Sequence, residues 1–297
     1  MNFDEKLSFY IEMVNNKLSS IMIEKEVQEK IIYKAMKYSV MAGGKRIRPV
    51  LALAVADVLD GHIDEVLPFA CAIELIHTYS LIHDDLPSMD NDDLRRGLPT
   101  NHKVFGEAMA ILAGDGLLNY AFEIMTEACL INSKVELINK VKAMEVIAKS
   151  SGVNGMIGGQ VIDVQSEGNI ISHDILERMY KMKTGALLKA SVISAALLSN
   201  ATSEELTSLE TFSENLGLAF QIKDDILDVE GAAEVLGKNL GSDIANNKAT
   251  YVTLYGVNRA KEMLEETTNK AIESLSRFGS KGAFLIDLAN YLLKRDH

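Results

Sequence analysis

The chain is poor in residues that interrupt or cross-link a fold. Only four prolines occur in 297 residues, Pro49, Pro68, Pro87 and Pro99, all in the first third. Proline breaks helix interiors, so the rest of the chain is free for long helices. Aromatic residues make up 6%, while Ala, Leu, Ile and Met abound, a composition that suits helix. Two cysteines, Cys71 and Cys129, stand far apart in apolar stretches and read as buried, reduced thiols of a cytoplasmic protein. Basic residues are outnumbered, giving a formal charge of -12 that argues against a nucleic-acid partner. The first residues, Met1 to Lys6, lack the basic start and apolar run of a signal peptide. The longest apolar stretch, Gly185 to Ala201, is interrupted by Lys189 and rich in Ser and Ala. It predicts a buried helix, with no membrane span. No linker, low-complexity segment or composition shift is present. Length alone would allow two domains, but one domain over 1–297 is expected.

What the chain does have is acid in two places. His83-Asp84-Asp85-Leu86-Pro87-Ser88-Met89-Asp90 ends an apolar helix, with Arg95-Arg96-Gly97 just beyond. Asp224-Asp225-Ile226-Leu227-Asp228 lies on a second apolar helix. Crowded carboxylates repel and raise each other's pKa unless cations sit among them. An aspartate-only donor set favours a hard cation such as magnesium, with manganese as a substitute. Both clusters acting on one diphosphate is the reading this suggests. At about 100° per residue, Gln221, Asp224, Asp225 and Asp228 share one face. Asp90 falls about 240° round from Asp84, so the first cluster cannot follow one straight helix. Pro87 disfavours helix at Leu86 and predicts an end near Asp85, with a turn returning Asp90.

Helical periodicity covers residues 3–23, about 25–41 (ending at Gly43-Gly44), 50–59, 64–85, 105–129 and 135–150, with two more helices over 250–296. Pro49 suits a first helical position, placing Lys45 and Arg48 just before a helix N-terminus. There they fit an anion site, or equally a solvated basic turn. The spacing is not that of a P-loop. His77, Ser80, Leu81 and Asp84 share a stripe. A lone histidine there would ordinarily be a satisfied core residue; two turns below the aspartates it is also placed for ligand contact. His83 carries no assigned chemistry, since helical neighbours do not face each other. Gly114 and Gly116 mark close helix packing. In 135–150, Val135, Ile138, Val141, Met144 and Ile147 form the expected inner face. Gln160 and Asp163 share a face, and Lys183-Thr184-Gly185 opens the next helix. Gly231 to Asn247, with Lys238 and then Lys248, reads as a mobile flap.

Taken together these stretches resemble the trans-isoprenyl diphosphate synthases, specifically the bacterial farnesyl diphosphate synthase group. The matches are Gly43-Gly44-Lys45-Arg46-Ile47-Arg48-Pro49, Asp84-Asp85 with Asp90, Arg95-Arg96-Gly97, Gly159-Gln160 with Asp163, Lys183-Thr184-Gly185, and Phe220-Gln221 with Asp224-Asp225 and Asp228. The four-residue spacer before Asp90 is the bacterial farnesyl form of the first motif. The resemblance implies an all-α isoprenoid-synthase bundle around a central apolar cavity, a homodimer, and magnesium held by Asp84, Asp85, Asp90, Asp224, Asp225 and Asp228. It implies that Arg95, Lys183, Thr184, Gln221 and Lys238 serve the allylic diphosphate, dimethylallyl or geranyl. Lys45, Arg48, His77 and Arg96 would hold isopentenyl diphosphate. Thr184 and Gln221 would stabilise an allylic carbocation, and released diphosphate would take the proton.

Tyr79 stands five residues before Asp84, about 7.5 Å along the helix and about 140° round it. Ser80 is better aligned but small. Geometry does not make Tyr79 a pocket floor; the resemblance does, since an aromatic residue there limits the product to fifteen carbons. Alternatives are a geranylgeranyl diphosphate synthase of the same family or an inactive partner subunit of a heteromeric prenyltransferase. The second would have lost motif aspartates, and none is lost. A terpene cyclase would show a different second motif, and an EF-hand has other ligand spacing.

Overall fold

In the computed structural model, residues 1–131, 134–169, 171–234 and 250–294 are described, and they are helical almost throughout. Contacts group the chain into two units, residues 1–145 with 194–200, and 146–193 with 201–297.

In the first unit, α1 (Phe3–Ile21) opens on a capping box. Asn2 Oδ1 accepts the Glu5 N–H at 2.9 Å, and Glu5 accepts the Asn2 N–H at 3.0 Å. Its buried stripe is Tyr10, Val14 and Leu18, as the periodicity predicts. Helix α2 (Lys30–Met41) starts later than expected, because residues 27–29 form a turn closed by the Lys30 N–H on the Val27 carbonyl. Helix α3 (Ile47–Val58) starts earlier than Pro49 suggests. Arg46 is the N-cap, and Pro49 sits in the first turn, where its missing N–H also goes unneeded. Arg48 is therefore inside that turn, with Lys45 ahead of it.

Helix α4 (Ile63–Asp84) is buried nearly all round, the pattern of a central helix, and packs on α3 and on α6 (Glu107–Leu130). Its half-exposed stripe is His77, Ser80, Leu81 and Asp84. By length and composition α4 and α6 could each cross a membrane; α4 is mostly buried, as core helices are. A feature absent from the all-helical expectation follows: an antiparallel hairpin of β1 (Leu94–Arg95) and β2 (Leu98–Pro99). Its two turn residues, Arg96 and Gly97, have φ of 55° and 78°, a type I′ arrangement. A short α5 (Asn101–Phe105) precedes α6, the break falling at Gly106.

Close packing at Gly114 holds: a Cβ there would lie 2.1 Å from His83 Nε2, which also contacts the Ile111 carbonyl at 3.1 Å. Helix α7 (Leu137–Ser151) departs from its expected face. Val135 and Ile147 are buried, but Ile138 and Val141 are exposed, and Lys140 is buried instead. Lys140 Nζ donates to the Ala128 and Ile131 carbonyls at 2.8 and 3.1 Å, capping the end of α6. That cap turns the helix away from its apolar stripe. Cys71 is buried and Cys129 half-buried, both unbonded.

The second unit comprises α8 (Met156–Ser166), α9 (His173–Tyr180), part of α10 (Ala186–Leu198), α11 (Ser203–Glu234), α12 (Tyr251–Tyr255), α13 (Val257–Ser274) and α14 (Ala283–Lys294). A core cluster gathers Leu176, Met179, Tyr180, Ile222, Ile226 and Tyr251. Lys183-Thr184-Gly185 does not open a helix. It lies in a π-helical turn, Lys181–Gly185, that joins α9 to α10 without a break. Helix α11 extends through Gly231–Glu234; the remainder of the expected flap, including Lys238, and Lys248 lie outside the described residues.

Candidate active site

Helix α4 runs out at Asp84, and the backbone then folds back as Pro87 requires. The Asp90 N–H donates to the Asp84 carbonyl at 2.9 Å, and the Met89 and Asn91 N–H groups both reach the Leu86 carbonyl. This returns Asp90 to Asp84, the turn that the helical wheel demanded. Asp85 is buried and accepts two hydrogen bonds from Arg95, which also reaches Asp92 at 3.2 Å. Burial pushes the Asp85 carboxyl above its ordinary range; Arg95 opposes the shift without cancelling it.

Beside this turn the first unit concentrates positive charge. Arg96 donates to the Gly43 carbonyl and lies flat on Gly44, where a Cβ would come 2.6 Å from Arg96 Cζ. Burial, then Arg48, Arg96, Arg95 and Arg46 in that order, hold the His77 pKa well below its usual value. Arg46 and Arg95 are paired with carboxylates, and Arg48 and Arg96 lend this region a positive potential suited to an anion. Lys45 is exposed and Arg48 half-buried. Arg46, which carried no predicted role, is buried and pairs with Glu74 at 2.7 Å. Ser80 spends its hydroxyl on the His77 carbonyl at 2.8 Å. Tyr79 is 6% exposed, packs edge-on against His83 with centroids 5.7 Å apart, and its buried Oη has no hydrogen-bond partner. Burial, aided by Asp84, raises its pKa to about 12.

In the second unit Gln221, Asp224 and Asp228 lie half-exposed on α11, as the shared face predicts. Asp225 departs from them. It is 4% exposed and accepts from the Tyr180 hydroxyl and the Tyr251 N–H. Lys183 pairs with Asp163, and Thr184 is half-exposed beside it. The approach is close because Gly159 has no side chain: a Cβ there would meet the Lys183 nitrogen at 2.2 Å. Sequence reasoning missed Tyr180 and Tyr251; nothing in the spacing of a tyrosine announces a carboxylate partner 45 or 26 residues away.

The donors suit a hard divalent cation: they are carboxylate oxygens, and Asp228 Oδ2 is a buried acceptor with no hydrogen-bond partner among the described residues. Among the described residues no three His, Cys, Asp or Glu side chains converge into a ready cage. Two of the aspartates, Asp85 and Asp225, are engaged by protein donors instead.

An all-helical fold carrying an aspartate turn, an arginine-ringed anion focus and a second aspartate face defines a helical isoprenoid synthase. The chain belongs to the polyprenyl synthetase family, whose family model matches residues 29–281. It is 51% identical over 264 residues to the farnesyl diphosphate synthase of Geobacillus stearothermophilus, covering 89% of this chain and 88% of that one. It is 46% identical to the chloroplastic geranylgeranyl pyrophosphate synthase of Capsicum annuum, across 96% of this chain and 76% of the relative. The apo crystal structure of an FPP/GFPP synthase from Zymomonas mobilis matches with TM-score 0.88 at 32% identity, covering 98% of this chain and 99% of that one.

Proposed function

We propose that this prenyltransferase condenses isopentenyl diphosphate with dimethylallyl and then geranyl diphosphate, yielding (2E,6E)-farnesyl diphosphate. The observation that carries the reading is the Asp84–Asp90 turn at the end of α4, closed by the Asp90 N–H on the Asp84 carbonyl above a buried Tyr79. Lys45, Arg48, His77 and Arg96 hold the isopentenyl diphosphate group. His77, its pKa lowered by burial first and by nearby arginines second, offers a hydrogen bond without adding charge. Arg95, Lys183, Gln221 and Lys238 hold the allylic diphosphate. Asp84, Asp85, Asp90, Asp224, Asp225 and Asp228 supply oxygen ligands for magnesium, which when bound neutralises charge on the departing diphosphate.

The allylic C–O bond breaks and its electron pair leaves with diphosphate. Thr184 Oγ1 and the Gln221 amide oxygen face the cation with lone pairs. The isopentenyl double bond supplies the electrons of the new C–C bond, and a proton passes to the released diphosphate. Apolar helix surface keeps water from the cation.

One domain spanning 1–297, a cytoplasmic location and no membrane span complete the reading. A homodimer is supported by exposed Ile111, Leu112, Leu130, Ile131, Ile138 and Val141 on and between α6 and α7. Relatives named geranylgeranyl diphosphate synthases support a second reading with a longer product. Incubation with isopentenyl and dimethylallyl diphosphates plus magnesium, followed by chain-length analysis, decides: a C15 product supports the first, C20 the second, and no condensation defeats both.

A further inference from the structure

Arg46 sits between two residues of the anion focus, Lys45 and Arg48, yet turns the opposite way. Its side chain is 1% exposed. Nη1 donates to Glu74 Oε1 on α4 at 2.7 Å, Nε to Asn15 Oδ1 on α1 at 3.0 Å, and Nη2 to the Val40 carbonyl on α2 at 2.7 Å. One guanidinium thus spends a donor on each of three helices, and its own backbone starts a fourth in the left-handed region, at φ 51°. Glu74 is 2% exposed and lies one turn before His77 on α4. The pair joins the start of α3, with Lys45 just ahead of it and Arg48 in its first turn, directly to the helix that carries His77.

We infer that Arg46 and Glu74 are a positioning pair: their buried ion pair fixes Lys45 and Arg48 against His77 so that one diphosphate meets all three. This rests on the proposed isopentenyl diphosphate site. Two physical points favour it over a purely structural pair. A buried ion pair adds little net stability over apolar packing, so stability alone is a weak reason for one here. Glu74 also places a negative charge directly against Arg46, the base of Lys45-Arg46-Ile47-Arg48 that is buried. Arg46 is thereby neutralised within the protein.

Three variants separate position from charge. Glu74→Gln keeps the shape and loses the charge; Glu74→Asp keeps the charge and withdraws it by one methylene. Asn15→Leu removes one tether on the half-buried side of the pair, where loss of folding is not expected. Each is titrated with inorganic diphosphate by calorimetry, beside Arg48→Ala, and assayed for Michaelis constants. The expected result is a rise of about tenfold in the constant for isopentenyl diphosphate in both Glu74 variants. The Asn15 variant should show about threefold, the allylic constant should stay within about twofold throughout, and inorganic diphosphate should bind more weakly. Simple electrostatics predicts the reverse for Glu74→Gln, tighter anion binding, and that result overturns the inference. So do unchanged constants in folded variants, or equal rises for both substrates. Should the Glu74 variants fail to fold, the Asn15 result decides alone. If wild type binds inorganic diphosphate but joins no isoprene units, the proposed reaction fails, while the diphosphate titrations still judge the pair.

Discussion

The Tyr180 hydroxyl donates to both carboxylate oxygens of Asp225, at 2.8 and 2.9 Å, and the Tyr251 N–H adds a third bond at 2.7 Å. One aspartate therefore ties α11 to the end of α9 and the start of α12. Asp224, its neighbour, lies half-exposed. Two adjacent carboxylates of one motif should then fail differently. Asp225→Ala strands a buried hydroxyl and a buried N–H and is expected to cost about 3 kcal/mol of stability. Asp224→Ala should cost under about 1 kcal/mol while lowering turnover by orders of magnitude. Urea unfolding beside turnover measurements checks this; equal losses of stability would refute the distinction.

Metal dependence follows from the donor set. Asp228 Oδ2 is buried without a partner among the described residues, and Asp90 is exposed at the end of its turn. Carboxylates so placed need a counter-charge before a diphosphate can approach. Activity is expected to vanish in excess chelator and return with magnesium or manganese, with helical content unchanged by circular dichroism. Full turnover in chelator would remove the metal from the reading.

The two diphosphate groups should separate kinetically. Arg48→Ala is expected to raise the Michaelis constant for isopentenyl diphosphate by about ten- to a hundredfold, the worth of a charge-assisted hydrogen bond. Lys183→Ala should act on the allylic substrate or on turnover instead. Lys183 also pairs with Asp163, so Asp163→Asn should reproduce part of that effect by loosening the lysine. Identical changes in both constants for both lysine and arginine variants would show the assignment to be wrong.

His77 gives a stability prediction with a definite sign. Its folded pKa lies well below the ordinary value of 6.5, chiefly through burial. As pH falls through about 6.5 the unfolded chain therefore takes up a proton that the folded protein refuses. The His77 contribution to stability is lost from that point downward, by up to about 1.4 kcal/mol per pH unit, and is constant above it. In His77→Gln the dependence between about pH 6.5 and pH 5 should flatten. Denaturant melts of both proteins across that window measure it, and parallel curves would exclude His77 as the source.

The sequence shows what is periodic and hides what is held at a distance. The stripe of His77, Ser80, Leu81 and Asp84 on α4, and that of Gln221, Asp224 and Asp228 on α11, follow from spacing alone, because a helix converts spacing into a face. Pro87 likewise gave away the turn at Asp90. The inner face of α7 differs from its apolar periodicity where Lys140 folds back to cap α6, a contact that no apolar count contains. The π-helical turn at Lys181–Gly185 arises where α8 presses on it through Gly159, so its cause lies in another helix. In Lys45-Arg46-Ile47-Arg48 the inward base was illegible for the same reason. A helix start is too short to show a period, and Glu74 selects Arg46 only once α4 is in place.

The hydroxyl and the ring of Tyr79 have separable consequences. The hydroxyl is buried without a hydrogen-bond partner, a cost of about 1–3 kcal/mol. The ring is packed edge-on against His83, five residues before Asp84 on the same helix. If the tyrosine is there for its hydroxyl, Tyr79→Phe should be harmful. If it is there for its bulk, Tyr79→Phe should be neutral or stabilising and should keep the wild-type product. Bulk is the reading favoured here, since the structure gives the hydroxyl nothing to bind. Tyr79→Ala then removes the ring, at about 3–5 kcal/mol for the cavity less what the orphaned hydroxyl had cost. It should also leave room for a fourth isoprene unit, shifting the product from fifteen towards twenty carbons. Product analysis of wild type, Tyr79→Phe and Tyr79→Ala at matched substrate ratios provides the test. A folded, active Tyr79→Ala that still stops at fifteen carbons would place the limit elsewhere, and a longer product from Tyr79→Phe would assign it to the hydroxyl.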